Sequence, residues 1–589
     1  MPLLNSSGLA ARVLVPEKLS PDGLSLLRTS VDVDERKGLA ADELLRIIPE
    51  YDALVVRSET KVTREVMQAA KKLKVVARAG VGVDNVDVDA ATKLGIVVVN
   101  SPSGNIGAAA EHTIALMMSM ARNIPNAHSS LKDGKWERSK FVGIEVKGKT
   151  LGIIGLGKVG MIVARLAKGL GMNVNAMDPY ASEAVASSAS VTLVSSLSEL
   201  LPTVDFLTIH TPLIASTKGM ISSAELGKMK PGARILNVAR GGTIDETALL
   251  EALESGHIAG AGMDVFTSEP PKPDSSSAKL IAHPKVVATP HLGASTVEAQ
   301  ENVSIDVCEQ VLQILGGALP RSAVNAPLIL PEEYKKLEPF VRLVEKMGSL
   351  YTQHYSSSTS FDTNRNTFSL IYEGDISGIN NTKPLFAALI KGLTGPISST
   401  NVSIVNAEIV ARERGIVVNE EHSRNPCTHS YSSLVTLVAR PPSRAPSRAR
   451  EATESQRPSP NPQQQIISGT CSGSQIIISR LGRFATSFVP EGRLLICHNY
   501  DAPGKIGVVG SILGKEEVNI NFMSVAPVSQ KLIQEDAAKE QGQKVYDDNG
   551  NDANKEALMI LGVDRPVSED VVTTLVNSGG VLSASLVSL

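Results

Sequence analysis

At 589 residues the chain has room for several domains, on a soft scale of roughly 150 residues each, and its formal charge of −3 gives no sign of a nucleic-acid partner. A hydrophobic content of 42% is ordinary for globular protein, and the apolar runs are too short to span a bilayer. The four cysteines, Cys308, Cys427, Cys471 and Cys497, form no CxxC pair, so neither a zinc site nor a disulfide framework is indicated and a reducing, cytoplasmic compartment is expected.

The N-terminus reaches a strand by Val13 without a long apolar h-region or an Arg-rich leader, which agrees with that address. Residues 11–100 then alternate strands (ARVLVPE, VDVDE, DALVVRS, KVVARAG, IVVVNSP) with helices (SPDGLSLLRTS, ADELLRIIPE, TREVMQAAKKL, DVDAATKLG). This pattern predicts a doubly wound α/β domain, in which ligands sit beyond the carboxyl ends of the strands. Arg57 and Ser58, Arg78 to Gly82, and Ser101 to Gly107 arrive at such ends. One arginine there would read as a surface charge. Two at equivalent ends of one sheet can make an anion pocket, with Gly80 and Gly82 allowing close approach.

AAAEHTIALMMSMARNIP (108–125) is apolar almost all round, so it should be a buried helix, plausible in a subunit interface. The stretch 131–149, with Trp136 among Lys135, Arg138 and Lys140, reads as a wet, charged loop.

Residues 150–178 carry the strongest signal. A strand at Leu151–Ile154 leads into Gly155, Gly157 and Gly160, then a helix, a second strand and Asp178. The first Gly permits the tight turn, the second lets a pyrophosphate approach the backbone, and the third lets helix pack closely on strand. The helix N-terminus offers free N–H groups to phosphates. Asp178 can accept both ribose hydroxyls and would repel a 2′-phosphate, so NAD is favoured over NADP.

Four further strands end in polar residues at the same rim: His210-Thr211-Pro212, Arg240-Gly241-Gly242, Asp264 with Glu269 beyond it, and His291 followed by Gly293. Any single one could be structural, and a lone His after a strand is usually a core residue. Together they suit hydride transfer from a hydroxyl-bearing carbon. His291 can take the hydroxyl proton, Glu269 can hold the far ring nitrogen, and Arg240 can present a planar fork to a substrate carboxylate. Asp264 is placed to bind the nicotinamide side.

GLGKVG, HTP, NVARGG, GMDVFTSEPP and PHLGAST resemble the D-isomer-specific 2-hydroxyacid dehydrogenases. RAGVGVDNVD and SPSGNIGAAAEHT look more closely like the D-3-phosphoglycerate dehydrogenase family, over residues 10–326. The resemblance implies a discontinuous substrate domain (1–101 and 295–326) around an NAD-binding Rossmann domain (102–294). It implies cofactor contacts at Val81, Gly155, Gly157, Lys158, Val159, Gly160, Asp178, Thr211, Pro212, Val238, Ala239, Arg240, Asp264, His291, Gly293 and Ala294. Val81 stands where several relatives have Thr. It implies substrate contacts at Arg57, Ser58, Arg78, Gly82, Asn105 and Gly107, and no metal.

Residues 327–490 resemble the intervening domain of the long form of these enzymes, broken by a Pro-, Ser- and Arg-rich stretch, 438–465, expected to be a disordered insertion. Strand sequence resumes at Gln475. Residues 491–589 read β-α-β-β-α-β and look like a ferredoxin-like ACT domain, a module that binds amino acids at dimer interfaces. In relatives the positions matching Asp501 and Asn519 hold the effector, and Asn499 stands where some carry Tyr or His. The charged stretch 530–555 reads as a solvated loop.

The reading from sequence is therefore an NAD-dependent 3-phospho-D-glycerate dehydrogenase of serine synthesis, a homodimer or homotetramer with L-serine as effector. A dehydrogenase for 2-hydroxyglutarate or glycerate, and an NAD(H)-sensing corepressor or scaffold, stand as alternatives.

Overall fold

The computed structural model describes all residues except 1–2, 4–7, 328, 330, 356–366, 399, 424–430, 441–464, 474, 533–555 and 579. Cys427 and most of the two low-complexity stretches thus lie outside the described residues. Four sheets organise the rest.

The first is five-stranded and parallel: β1 (Arg12–Val15), β2 (Asp32–Glu35), β3 (Ala53–Val56), β4 (Val75–Arg78) and β5 (Val97–Asn100), in the order β2-β1-β3-β4-β5. Strands such as ALVV and VVA are continuous apolar runs because a parallel sheet is covered on both faces. One cover comes from far along the chain. The helix Val297–Leu315 places Val303, Val307, Cys308 and Val311 in the same core as Val13, Val15 and Ala77. Asn325 then pins the returning chain to β5, accepting from Val98 N at 2.9 Å and donating to Ile96 O at 2.9 Å.

The second sheet is seven-stranded: β6 (Thr150–Ile154), β7 (Asn173–Met177), β8 (Thr192–Leu193), β9 (Phe206–Ile209), β10 (Ala233–Asn237), β11 (Ile258–Met263) and β12 (Val286–Ala288). Its order, β12-β11-β10-β9-β6-β7-β8, reverses between β6 and β9, where a dinucleotide crevice forms in such sheets. The apolar helix expected at 108–125 spans Ile106–Ala121, and its burial has an internal cause. Ala110, Leu116, Met117 and Met120 pack in one core with Val163, Ala164 and Ala167 of the helix Lys158–Gly169. A short helix, Ile124–Lys132, follows Ile106–Ala121, and the stretch 131–149 expected as a charged loop carries exposed apolar side chains as well. Ile124, Leu131, Trp136 and Val142 are all exposed, Trp136 to 77%.

The third sheet is mixed: β13 (Thr367–Gly374), β14 (Val417–His422), β15 (Ser433–Arg440), β16 (Gln465–Ser472), β17 (Gln475–Leu481) and β18 (Phe484–Phe488). The order is β14-β13-β15-β16-β17-β18, with only β13 and β14 parallel. The stretch expected to be irregular, 438–465, begins and ends in strand. Residues 438–440 finish β15, Gln465 opens β16, and Ala439 pairs with Gln465. It therefore joins two neighbouring antiparallel strands; residues 441–464 lie outside the described residues. β16 escaped the sequence reading because Ser468-Gly469-Thr470-Cys471-Ser472 lacks a run of apolar residues.

The fourth sheet is antiparallel: β19 (Arg493–Tyr500), β20 (Ile520–Pro527), β21 (Glu556–Val563) and β22 (Val581–Ser588), ordered β20-β21-β19-β22. This is the β-α-β-β-α-β arrangement read from sequence. Strand alternation splits its faces. Leu495 and Cys497 pack on the helices Lys505–Lys515 and Glu569–Asn577. Leu494 and Ile496, with Ala526, Leu558, Ile560 and Val587, join the core of the third sheet beside the helix Pro331–Tyr355. The two C-terminal units share one hydrophobic core. Among the described residues no helix is long and apolar enough to cross a membrane.

Candidate active site

Gly155 has φ +93°, and a Cβ there would lie 2.6 Å from His210 O. A Cβ at Gly160 would lie 2.2 Å from Gly155 O, so only glycine lets this helix start so close to β6. Space beside Gly157 is open. Asp178, just past β7, accepts from Leu156 N at 2.7 Å and Tyr180 N at 2.8 Å, which ties it to the glycine turn. Thr211 Oγ1 is buried with no partner in the protein, a polar atom left for a ligand. These features fit an NAD site. Lys158 reaches from the helix start to Ser103 Oγ at 2.7 Å.

His291 stands at the end of its loop with φ 55°. Its Nδ1 meets Glu269 Oε2 at 2.7 Å, so Nε2 is the ring nitrogen outside this pair, and both side chains are partly open. Glu269 Oε1 accepts from Phe266 N at 2.9 Å. Burial pushes the Glu269 carboxyl up, but the hydrogen bonds from His291 and Phe266 N outweigh it and hold it below the usual carboxylate range.

Asp264, expected against the nicotinamide, spends its carboxylate on the loop that carries His291. Oδ1 accepts from Thr289 Oγ1 at 2.6 Å and Leu292 N at 2.7 Å, and Oδ2 from Gly293 N at 2.8 Å. His112 Nε2 lies 3.3 Å from Oδ1 and 3.0 Å from Thr289 Oγ1. Burial again works against the charge, and these donors outweigh it, so Asp264 titrates lower than usual. Gly293 also meets Val238, whose Cγ1 would sit 3.0 Å from a Cβ there.

Past the end of β4, Arg78 feels the charges of two further guanidinium groups, Arg240 and Arg57. A Cβ at Gly80 would fall 1.6 Å from Arg78 Nη1, and one at Gly82 would fall 2.0 Å from Arg240 Nη2. Burial, then the charge of Arg240, then that of Arg57, lower the Arg78 pKa to about 10, with Asp84 opposing them. Arg78 Nε is buried without a partner. Arg240 Nη1 donates to Ala239 O at 2.7 Å, and its Nε lies 3.2 Å from Asp84 Oδ2.

The chain is similar to known proteins over nearly its whole length. Residues 114–293 match the NAD binding domain of the D-isomer specific 2-hydroxyacid dehydrogenases, and residues 336–453 match the D-3-phosphoglycerate dehydrogenase intervening domain. It is 43% identical over 573 residues to D-3-phosphoglycerate dehydrogenase 2, chloroplastic, of Arabidopsis thaliana, covering 97% of this chain and 85% of that one. It is 39% identical to D-3-phosphoglycerate dehydrogenase of Archaeoglobus fulgidus, covering 98% and 100%. The chain belongs to the D-3-phosphoglycerate dehydrogenase family. Among solved structures it resembles a putative D-isomer specific 2-hydroxyacid dehydrogenase from Polaromonas, with TM-score 0.50, 25% identity, and coverage of 53% of this chain and 99% of that one.

The remaining residues singled out for this family's site fall at its edges. Ser58, Gly107 and Pro212 are exposed, while Val159 packs in the core of the second sheet. Val81 is 38% exposed and its carbonyl accepts from Asn100 Nδ2. Asn105 caps the helix Ile106–Ala121 without a side-chain hydrogen bond, and Ala294 is half-buried beside Gly293. Ala239 N donates to Asn237 Oδ1 at 3.1 Å. Sequence reasoning missed Asn237, which also donates to Arg240 O at 2.8 Å and so shapes the arginine's turn. It missed Asp84, and Glu17, whose carboxylate accepts from Arg57 N, Glu59 N and Thr60 N. Asp84 lay inside the quoted RAGVGVDNVD; Glu17 had no local signal.

The three residues read as effector contacts are not gathered by one chain. Asn499 and Asp501 lie at the end of β19 beside Glu556, whereas Asn519 precedes Ile520, which pairs with Val563 opposite Arg493. The sheet puts them at opposite ends, roughly 20 Å apart at about 3.3 Å per residue. Asn499 is 3% exposed with Oδ1 unpartnered, and Asn519 N donates to Asp564 Oδ1 at 2.9 Å.

Proposed function

We propose that the chain oxidises 3-phospho-D-glycerate to 3-phosphohydroxypyruvate with NAD, the step that opens L-serine synthesis. The observation that carries the choice of substrate is Arg78. It is a half-buried side chain whose Nε is buried and unpartnered, near the charges of Arg240 and Arg57. Like charges converging on one gap favour a multiply charged anion over a neutral group.

NAD, when bound at the glycine turn, supplies the hydride acceptor. Gly155, Gly157 and Gly160 leave room for its pyrophosphate, with Lys158 beside them, Asp178 for the ribose and Thr211 for a further polar contact. His291 takes the hydroxyl proton on Nε2. Glu269 keeps the ring oriented and favours the imidazolium that forms. Arg240 holds the substrate carboxylate through its fork. Arg57 and Arg78 hold the phosphate, helped by N–H groups at Gly82 and 105–107. The test is turnover with NAD on 3-phosphoglycerate, glycerate and 2-hydroxyglutarate. The phosphorylated substrate should give the highest kcat/KM. Equal use of glycerate would overturn the substrate, and no turnover on any would favour a binding scaffold.

The fourth sheet is read as an ACT-type regulatory unit for L-serine. A site using both Asp501 and Asn519 then needs two copies, which supports a homodimer or homotetramer. Exposed Trp136 and Val142 supply apolar surface for the same assembly. Asp501→Ala should raise the serine concentration needed for inhibition and leave the KM for NAD unchanged; full-length enzyme that ignores serine would sink the regulatory reading. A cytoplasmic address belongs to the same proposal, and cell fractionation tests it.

A further inference from the structure

Glu246 touches none of the reacting groups, yet it is tied to one of them. It opens the helix Glu246–Glu254 and is 5% exposed. Its carboxylate accepts four hydrogen bonds from neutral donors. Oε1 takes Thr267 N at 2.6 Å and Thr267 Oγ1 at 2.8 Å, and Oε2 takes Ser276 Oγ at 2.9 Å and Ser277 Oγ at 2.6 Å.

The helix does not need this carboxylate as a cap. Asp245 already accepts from Thr247 N at 3.0 Å and Ala248 N at 3.1 Å. Burying a carboxylate is costly unless it is hydrogen-bonded, and here these four donors offset that cost. What Glu246 grips is the turn 266–269. On its other side the same turn is closed by Gly241, where a Cβ would lie 1.9 Å from Phe266 O. At its far end stands Glu269, against His291 Nδ1.

We propose that Glu246 is a positioning residue: it anchors Thr267 so that the 266–269 turn holds the Glu269 carboxylate against His291. The inference rests on the roles proposed above for Glu269 and His291. It also explains the pairing of donors. Backbone N–H and hydroxyl of one residue converge on one oxygen, while the two serines at the start of the helix Ser276–Ala282 fix the other.

The test is a double-mutant cycle on the full chain. Glu246→Ala should lower kcat about tenfold, within the coupling range of residues sharing one network, and leave the NAD Kd unchanged. Glu246→Gln should restore kcat to within about threefold, because its Oε1 still accepts from Thr267 while Nε2 donates to the rotatable serine hydroxyls. In a Glu269→Ala background, Glu246→Ala should change kcat by less than about twofold. An unchanged kcat in Glu246→Ala overturns the inference, as does an equal loss with Glu269 already removed. If Glu269→Ala itself leaves kcat intact, the catalytic reading fails instead, and the two failures are distinct. Should Glu246→Ala not fold, Thr267→Val gives the same readout: a few-fold loss of kcat that vanishes without Glu269 supports the inference, and no loss, or one that persists there, overturns it.

Discussion

The two halves of the molecule use their sheets in opposite ways. In the N-terminal half two parallel sheets point their strand ends at one cleft, and polar side chains from many strands meet there. His291 pairs with Glu269 and Arg240 with Asp84, the second pair joining the two sheets, and Arg78 lies within reach of the Arg240 charge. In the C-terminal half a mixed sheet and an antiparallel sheet spend their inner faces on one shared core. Their polar residues scatter to opposite ends, as Asp501 and Asn519 do. Parallel strands concentrate chemistry at one rim because all of them end on the same side; antiparallel strands divide it between two. Damage to the first half should therefore appear in turnover, and damage to the second in stability.

The largest test of this division is His291→Ala. It should lower kcat by roughly 10²–10⁴-fold, the range for loss of a general base, while NAD binding by titration stays nearly intact. Turnover close to wild type would remove His291 from the role.

Leu558→Ala addresses the other half. Leu558 is 2% exposed in the core shared by the third and fourth sheets. Truncating it should cost about 2–5 kcal/mol, and both sheets should lose hydrogen-exchange protection together. If the fourth sheet opens alone, the shared core is not a cooperative unit. For the same reason, cutting the chain after residue 490 would strip six apolar side chains, Leu494, Ile496, Ala526, Leu558, Ile560 and Val587, from that core.

Within the cleft, Arg78→Gln should raise the KM for phosphoglycerate about tenfold to a hundredfold, the range for a hydrogen bond to a charged group. The KM for glycerate should move far less. A parallel rise for both substrates would place Arg78 away from the phosphate.

The smallest effect concerns pH. Burial, with the charge of His498 adding, lowers the His354 pKa to about 4, and its Nδ1 sits 2.6 Å from Ser585 Oγ. An unfolded histidine takes its proton near 6.5. Between those values the unfolded chain binds more protons, so stability falls as the pH drops from about 6.5 to 4. His354→Gln should flatten that slope for the C-terminal transition only. His210, held at about 4 by burial in the second sheet, keeps its own contribution. An unchanged slope would mean that His354 does not carry it.

What the sequence made legible follows the same division. The parallel sheets were readable because buried strands are unbroken apolar runs, and because glycine turns and strand-end residues mark their rim. His291 and Glu269 could be paired since both follow strands of one sheet. Asp84 and Arg240 could not, because the ion pair joins two sheets and leaves no local trace. The helix 106–121 announced its burial without saying what buries it. β16 was hidden by small polar residues on a strand whose neighbours supply the apolar contacts. Asp501 and Asn519 looked like partners in sequence, and only strand order separates them.

The charge around Arg78 bears on how long the protein lasts in a cell. Burial of the Arg78 guanidinium, with the nearby charges of Arg240 and Arg57, raises the free energy of the folded chain, and a bound dianion relieves that in the folded state alone. Such a ligand stabilises by about 2.7 kcal/mol at a hundredfold excess over its Kd. Resistance to proteolysis should therefore rise with phosphoglycerate or with inorganic phosphate, and the rise should be smaller in Arg78→Gln. The substrate would then slow the degradation of the chain that binds it.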